Sequence, residues 1–178
     1  ISTVDPLKGG MFYTLPQQAD EPPKFVRAKN CLTCHATTNS LQVPGHLARS
    51  FFTDSQGEPL NGRSLINHNS PLEDRWGGWY VTGSHGEQPH MGNVVGTEAA
   101  REFRDAPLRH GNVTDLSAYF DVKPYLTPHS DIVALMVFDH QVYGQNLLAR
   151  LAYETRLGHE STVEEILLRY LFFIDEPP

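Results

Sequence analysis

Two cysteines and a histidine stand side by side near the start of the chain. Cys31 and Cys34 are the only cysteines, and His35 directly follows the second in the segment KNCLTCHATT. A disulfide between the two thiols would close a very short loop and would restrict the unfolded chain little. A role in stabilising the fold is therefore a poor explanation for this spacing.

Two further uses of a Cys-x-x-Cys pair lack the context that they need. A thioredoxin-like dithiol expects a βαβ pattern, and the segment EPPKFVRAKN before Cys31 predicts no strand. A zinc site needs two more ligands at finger-like spacing, whereas the nine histidines are scattered and no second cysteine pair exists. Covalent haem attachment fits the order of the residues, because two thiols at this spacing can add to the two vinyl groups of one haem. The histidine that follows can then bind the iron.

The segment Cys31-Leu32-Thr33-Cys34-His35 resembles the haem-attachment motif of the c-type cytochromes. The resemblance covers five residues of 178. It implies one haem c per chain, bound through Cys31 and Cys34, with His35 as the proximal iron ligand. Haem of this type is attached outside the cytoplasm, so the resemblance also implies a periplasmic or extracellular protein.

The sequence offers several candidates for the sixth ligand of the iron. Met91 is preferred, since it lies 56 residues after His35 in the loop SHGEQPHMGN, and single-haem cytochromes commonly supply a methionine from such a loop. His90 and His85 are alternatives from the same loop. His140 is a further alternative, because helical spacing places it on a predicted buried stripe with Gly144 one turn later. An open sixth position is the remaining possibility.

The predicted fold class is mainly α with a small antiparallel β element. We expect a cytochrome c-like helical core around the haem, an inserted β-hairpin at 48–60 and a strand at 77–83. Helical periodicity predicts a long C-terminal helix over 130–158 and a second helix over 163–173. The predicted buried stripe of the long helix consists of Val133, Val137, His140, Gly144, Leu147 and Leu151.

Composition limits the possible partners. With 178 residues and 39% apolar content, we expect a single domain over 1–178. A net charge of −7 without a Lys/Arg cluster disfavours nucleic acid as a partner and favours a basic protein partner. No apolar run is long enough to span a membrane. The chain starts at Ile1 without a signal sequence, so we expect a mature fragment or a domain or subunit of a larger assembly.

These features predict an extracytoplasmic mono-haem c-type cytochrome that carries single electrons between redox partners. The first alternative is a haem enzyme with an open distal site, acting on peroxide or on a small nitrogen or sulfur compound. The second alternative is a haem sensor domain of a larger protein. No catalytic motif in the sequence favours the enzyme, whereas the extra length relative to a minimal carrier favours either alternative.

Overall fold

The structure is a computed structural model that describes residues 1–16, 22–60, 62, 64–106, 111–174 and 176. Its contacts fall into two compact units. The first unit comprises Ile1–Leu47 and Gln141–Asp175, and the second comprises Ala48–His140 and Glu176–Pro178. The single domain over 1–178 stays a prediction.

A three-stranded antiparallel sheet opens the first unit. Its strands are β1 (Ser2–Asp5), β2 (Gly9–Thr14) and β3 (Val26–Arg27), in the order β1-β2-β3. The expectation that no strand precedes Cys31 is therefore wrong, because β3 pairs with β2. The Asp5 carboxylate accepts hydrogen bonds from the backbone N–H groups of Leu7 and Lys8, which fixes the turn between β1 and β2. The central strand β2 is buried over its first four residues, so it forms the inner wall of this unit.

Short helical turns and two longer helices complete the first unit. A 3₁₀ turn over Lys29–Cys31 leads into α1 (Leu32–His35), and a second 3₁₀ turn covers Thr38–Ser40. The later part of the 26-residue helix α3 (Ile132–Leu157), from residue 141 onward, and α4 (Glu164–Leu171) also belong to this unit. Leu147, Val163, Leu167 and Tyr170 form the buried apolar cluster between these helices.

The second unit consists largely of turns. It contains a two-stranded sheet of β4 (Arg49–Ser50) and β5 (Ser64–Leu65), a 3₁₀ turn over Leu72–Asp74, the helix α2 (Thr97–Asp105) and the first part of α3. Phe52, Val94, Ala100 and Phe103 form its apolar cluster. Of the predicted hairpin at 48–60, the structure has only a turn closed by the Thr53–Pro59 bridge. The strand β4 pairs with β5 instead.

The predicted strand at 77–83 is wrong, and the backbone explains why. Trp76 has φ of +65° and Gly78 has φ of +81°, so both lie in the left-handed region and the chain turns here instead of extending. A bulky residue in this region is unusual. Trp76 is fully buried, and the packing around its side chain holds the turn in place.

The predicted long helix is present as α3 (Ile132–Leu157). Its first turn is capped by Asp131, whose carboxylate accepts the N–H of Ala134 at 2.9 Å. Gly158, with φ of +68°, ends the helix in the left-handed conformation. The second predicted helix, over 163–173, is present as α4. Among the described residues, no helix is both long and apolar enough to cross a membrane.

The predicted fold class, a mainly α cytochrome c-like core with an inserted hairpin, is wrong. The structure is 34% helical and 13% strand, with four α-helices and two small antiparallel sheets in its described residues. Of the described residues between 36 and 96, none belongs to an α-helix. The chain has thirteen Pro and fourteen Gly, residues that interrupt helices, and this segment forms turns that the motif alone could not predict.

Candidate functional site

The helical turn at α1 brings the two cysteines onto one face. Cys31 and Cys34 are three residues apart on helical backbone, so their side chains are neighbours on the surface of the turn. Both are free thiols; Cys31 is half-buried and Cys34 is exposed. The pair is therefore accessible to a reagent that bonds to both sulfur atoms.

His35 is held in one orientation by the backbone of Gly45. Its Nδ1 lies 3.0 Å from the Gly45 carbonyl oxygen, and the Gly45 N–H donates to the His35 carbonyl at 2.8 Å. A carbonyl oxygen only accepts hydrogen bonds, so Nδ1 carries the proton. Nε2 is then left with its lone pair, which is the form of imidazole that binds a metal ion.

Phe12 from β2 forms the apolar side of this site. Its ring centroid lies 4.6 Å from that of His35 and 5.4 Å from that of His46, and the Phe12 side chain is buried. Burial lowers the pKa of His46, and the nearby His35 lowers it further. The His46 imidazole is therefore harder to protonate than an ordinary histidine.

The loop between His35 and Gly45 is fixed by its own polar groups. The Ser40 hydroxyl accepts the N–H of Thr37 at 3.1 Å and donates to the Val43 carbonyl at 2.9 Å. Leu41 and Gln42 adopt left-handed backbone, with φ of 60° and 59°, which turns the chain back towards α1. The Gly45 carbonyl is thus carried on a rigid support.

The preferred sixth-ligand candidate, Met91, lies in the second unit. Its Sδ is 3.5 Å from the hydroxyl of Ser50, and its side chain packs against the apolar cluster that contains Phe52 and Phe103. The Ser50 hydroxyl also accepts the N–H of Gly77 at 2.8 Å. The Met91 thioether therefore occupies a defined position within its own unit.

His90 and His85 lie together, and hydrogen bonds occupy Nδ1 of His90 and both ring nitrogens of His85. The His90 Nδ1 accepts the N–H of Gly92 at 3.0 Å, so its Nε2 carries the proton, and burial lowers the pKa of His90 to about 4. The His85 ring lies 4.5 Å from that of His90; its Nε2 accepts the N–H of Asn112 at 2.7 Å and its Nδ1 contacts the Gln88 carbonyl. Iron binding by either histidine requires a different tautomer or the loss of a hydrogen bond.

His140 pairs with a histidine that the sequence did not single out. The Nδ1 atoms of His140 and His68 are 2.6 Å apart, a distance that requires a proton between them, so one donates and the other accepts. Burial lowers the pKa of both rings, that of His68 to about 4. The two imidazoles are therefore not protonated together near pH 7.

The residue before His140 extends this buried polar group. Asp139 is fully buried and accepts a hydrogen bond from the indole Nε1 of Trp76 at 2.8 Å. Burial raises the pKa of Asp139 to about 6, although the Trp76 bond opposes the shift. The second unit thus has a polar core beside its apolar cluster.

Sequence patterns pointed to Cys31, Cys34 and His35 but missed the residues that orient them. Asn146 binds the backbone of His46 from 100 residues further along the chain, and no local motif links the two. Three polar residues of α3, Asp139, Asn146 and Glu154, recur at seven- and eight-residue intervals, although the helix carries other polar residues between them. All three are buried. Such spacing places the three on one helix face, but the other polar residues of the helix kept the sequence alone from singling this face out.

The donor set of the first unit fits a c-type haem. Two free thiols share one face of a turn, the adjacent imidazole has its Nε2 lone pair available, and an aromatic ring packs beside it. The structure groups Cys31, Cys34 and His35 in the first unit, and it holds the sixth-ligand candidates in the second unit.

Comparisons with known proteins identified no relative of this chain. The chain matches no protein-family model, no curated protein and no solved structure. Within the residues that the structure describes, no group of three or more His, Cys, Asp or Glu side chains is arranged to hold a metal ion. The chemistry of the site therefore rests on its own residues.

Proposed function

We propose that the chain is an extracytoplasmic mono-haem c-type cytochrome that carries single electrons between redox partners. One observation carries the proposal: His35, next to two accessible free thiols, has its Nδ1 committed to the Gly45 carbonyl and its Nε2 lone pair available. A structural disulfide or a buried core histidine does not require this combination.

Each residue of the site has a distinct role in this proposal. The thiols of Cys31 and Cys34 each add across one vinyl group, so that an S–C bond replaces an S–H bond and the hydrogen passes to carbon. His35 supplies its Nε2 to the iron, and Phe12 shields the imidazole from water. The haem, when bound, supplies a one-electron couple whose potential the protein tunes through ligands, hydrogen bonds and burial. Met91 is the preferred sixth ligand, with His90, His85 and His140 as alternatives.

A second candidate function has one observation in its favour. The second unit contains a cavity of about 550 Å³, lined by polar residues such as Glu73, His85 and Gln88 and by apolar ones such as Val133 and Met136. Cavities of this size hold small ligands. A haem enzyme acting on peroxide or on a small nitrogen or sulfur compound is therefore the alternative.

The decisive test of haem attachment is extraction with acid acetone. We expect the haem to remain with the wild-type protein after extraction and to be lost from the double variant Cys31→Ala/Cys34→Ala. Ser117→Ala, at an exposed position in the second unit, is the matched control and should keep its haem. A wild-type protein that releases its haem, or a double variant that retains it, would refute covalent attachment through these thiols.

The visible spectrum of the reduced protein, with and without carbon monoxide, separates a carrier from an enzyme. A carrier with both axial positions filled should not change, whereas rapid binding would support the enzyme. The ferric protein should also show the weak long-wavelength charge-transfer band of methionine ligation. If this band is absent, or persists in Met91→Ala, then Met91 is not the sixth ligand and His140→Ala is the next variant to record.

A further inference from the structure

One peptide group in the first unit is hydrogen-bonded at both of its ends. The peptide that joins Gly45 to His46 accepts the Nδ1–H of His35 on its carbonyl oxygen, at 3.0 Å. Its N–H donates to the side-chain Oδ1 of Asn146 at 2.8 Å. These two hydrogen bonds form a relay that links Asn146 to His35 through a single peptide plane.

The side chain of Asn146 has only one orientation that satisfies these contacts. Its Nδ2 donates to the His46 carbonyl at 2.7 Å, so the carboxamide forms two complementary bonds with the backbone of one residue. The side chain is buried, and a Cβ on Gly45 would overlap its Oδ1. Since the backbone N–H can only donate and the carbonyl can only accept, the positions of Oδ1 and Nδ2 are fixed.

We propose that Asn146 is a positioning residue that sets how strongly His35 donates electrons to the iron, acting through the Gly45–His46 peptide. Hydrogen bonds in series polarise one another, so a partner on the peptide N–H makes its carbonyl a stronger acceptor. A stronger bond to Nδ1–H makes Nε2 a stronger donor. This stabilises oxidised iron and lowers the reduction potential. The inference rests on the proposed haem.

Two substitutions at Asn146 should shift the potential in opposite directions. Asn146→Asp removes the Nδ2–H bond to the His46 carbonyl but gives the His46 N–H a charged acceptor, which strengthens the relay and lowers the potential. Asn146→Leu removes the acceptor, which weakens the relay and raises the potential. Outer partners of metal-binding histidines typically change affinity or activity about tenfold or more. A tenfold change in the one-electron equilibrium is about 59 mV.

If Asn146 had a purely structural role, the two substitutions would not shift the reduction potential in opposite directions. Val163→Ala is the matched control, because it loosens the buried cluster around Leu147 without removing a hydrogen bond of the relay. Its potential should match that of the wild-type protein. If both Asn146 variants shift the potential in the same direction, or if neither shifts it while haem stays bound through His35, the relay is refuted.

A second measurement judges the relay independently of the potential. The proton NMR signal of His35 Nδ1–H, recorded on the protein as isolated and in the ferrous form if haem is present, reports the strength of its hydrogen bond. The signal should move downfield in Asn146→Asp and upfield in Asn146→Leu. If the wild-type protein carries no covalent haem, the proposed function fails, and unchanged signals in the two variants would separately refute the relay.

Discussion

At the scale of single residues, the partner of Nδ1 decides what a histidine can do with Nε2. His35 donates from Nδ1 to a carbonyl, and His90 accepts an N–H at the same atom. The two imidazoles are therefore opposite tautomers. His35 presents a lone pair, whereas His90 presents a proton. Residue type and spacing alone could not distinguish them, because the partners are backbone groups that only the fold brings into place.

A substitution at Gly45 tests the backbone support of the His35 imidazole directly. Gly45→Ala places a Cβ 2.8 Å from Cγ of Asn146 and against its Oδ1, so the loop or the amide must move. Overpacking of this kind costs about 1–3 kcal/mol, and we expect a loss of that size in the free energy of unfolding measured with urea. Gly62→Ala is the control, since its Cβ would meet nothing within 4 Å and should change stability by less than about 1 kcal/mol. Equal effects of the two substitutions would contradict the packing described here.

At the scale of elements, the long helix α3 shows what hydrophobic periodicity can predict and what it cannot. The sequence predicted this helix and both of its ends to within two residues, because helical periodicity is a pattern among neighbouring residues. The predicted buried face is only partly correct. Leu147 is fully buried, but Val133 is 61% exposed and Val137 is 49% exposed. The face that packs inward instead includes Asp139, Asn146 and Glu154.

The error in the predicted buried face of α3 has a physical cause. Periodicity assumes that the inward face is the apolar one, which holds only when its partners are apolar. Here the partners are an indole N–H for Asp139, a backbone peptide for Asn146, and a hydroxyl with a backbone N–H for Glu154. Phe12 likewise reaches His35 from a strand that precedes it in the sequence. The haem-attachment motif could be recognised from the sequence because its thiols and imidazole lie within five consecutive residues.

The connection between α3 and α4 supports a prediction with a defined pH dependence. The Glu154 carboxylate accepts hydrogen bonds from the Thr162 hydroxyl at 2.6 Å, the Thr162 N–H at 3.0 Å and the Arg150 Nε at 2.8 Å. These bonds lower the pKa of Glu154 to about 2. Because the pKa is lower in the folded state, the stabilisation is present above about pH 4.5 and is lost as the pH falls towards 2.

Thr162→Val removes the strongest of these bonds. At pH 7 we expect the variant to unfold at a Tm about 2–4 °C below that of the wild-type protein. The difference should narrow as the pH falls from 4.5 towards 2, which thermal unfolding followed by circular dichroism can measure. Thr162→Ser keeps the hydroxyl and should behave like the wild-type protein. A difference that stays constant over this pH range would show that Glu154 is not the relevant partner.

At the scale of the whole molecule, the net charge of −7 predicts how the protein meets a redox partner. An acidic surface attracts a basic protein, and salt screens this attraction over about 30 Å at 0.01 M and about 8 Å at 0.15 M. Electron transfer to a small basic redox protein should slow at least about tenfold over this range. Stopped-flow kinetics can measure this rate, and an uncharged small oxidant should show little change. A rate with the basic partner that is independent of salt would refute electrostatic recognition.

The long separation between Asn146 and the peptide that it holds sets an order of events during biosynthesis. Asn146 follows Cys34 by 112 residues, so at a synthesis rate of about 5–20 residues per second it emerges roughly 6–22 s later. During that interval the thiols are already available, while the support of His35 is still incomplete. The imidazole is locked in its final orientation only when α3 brings Asn146 to the Gly45–His46 peptide, so a helix far along the chain completes a site that begins at Cys31.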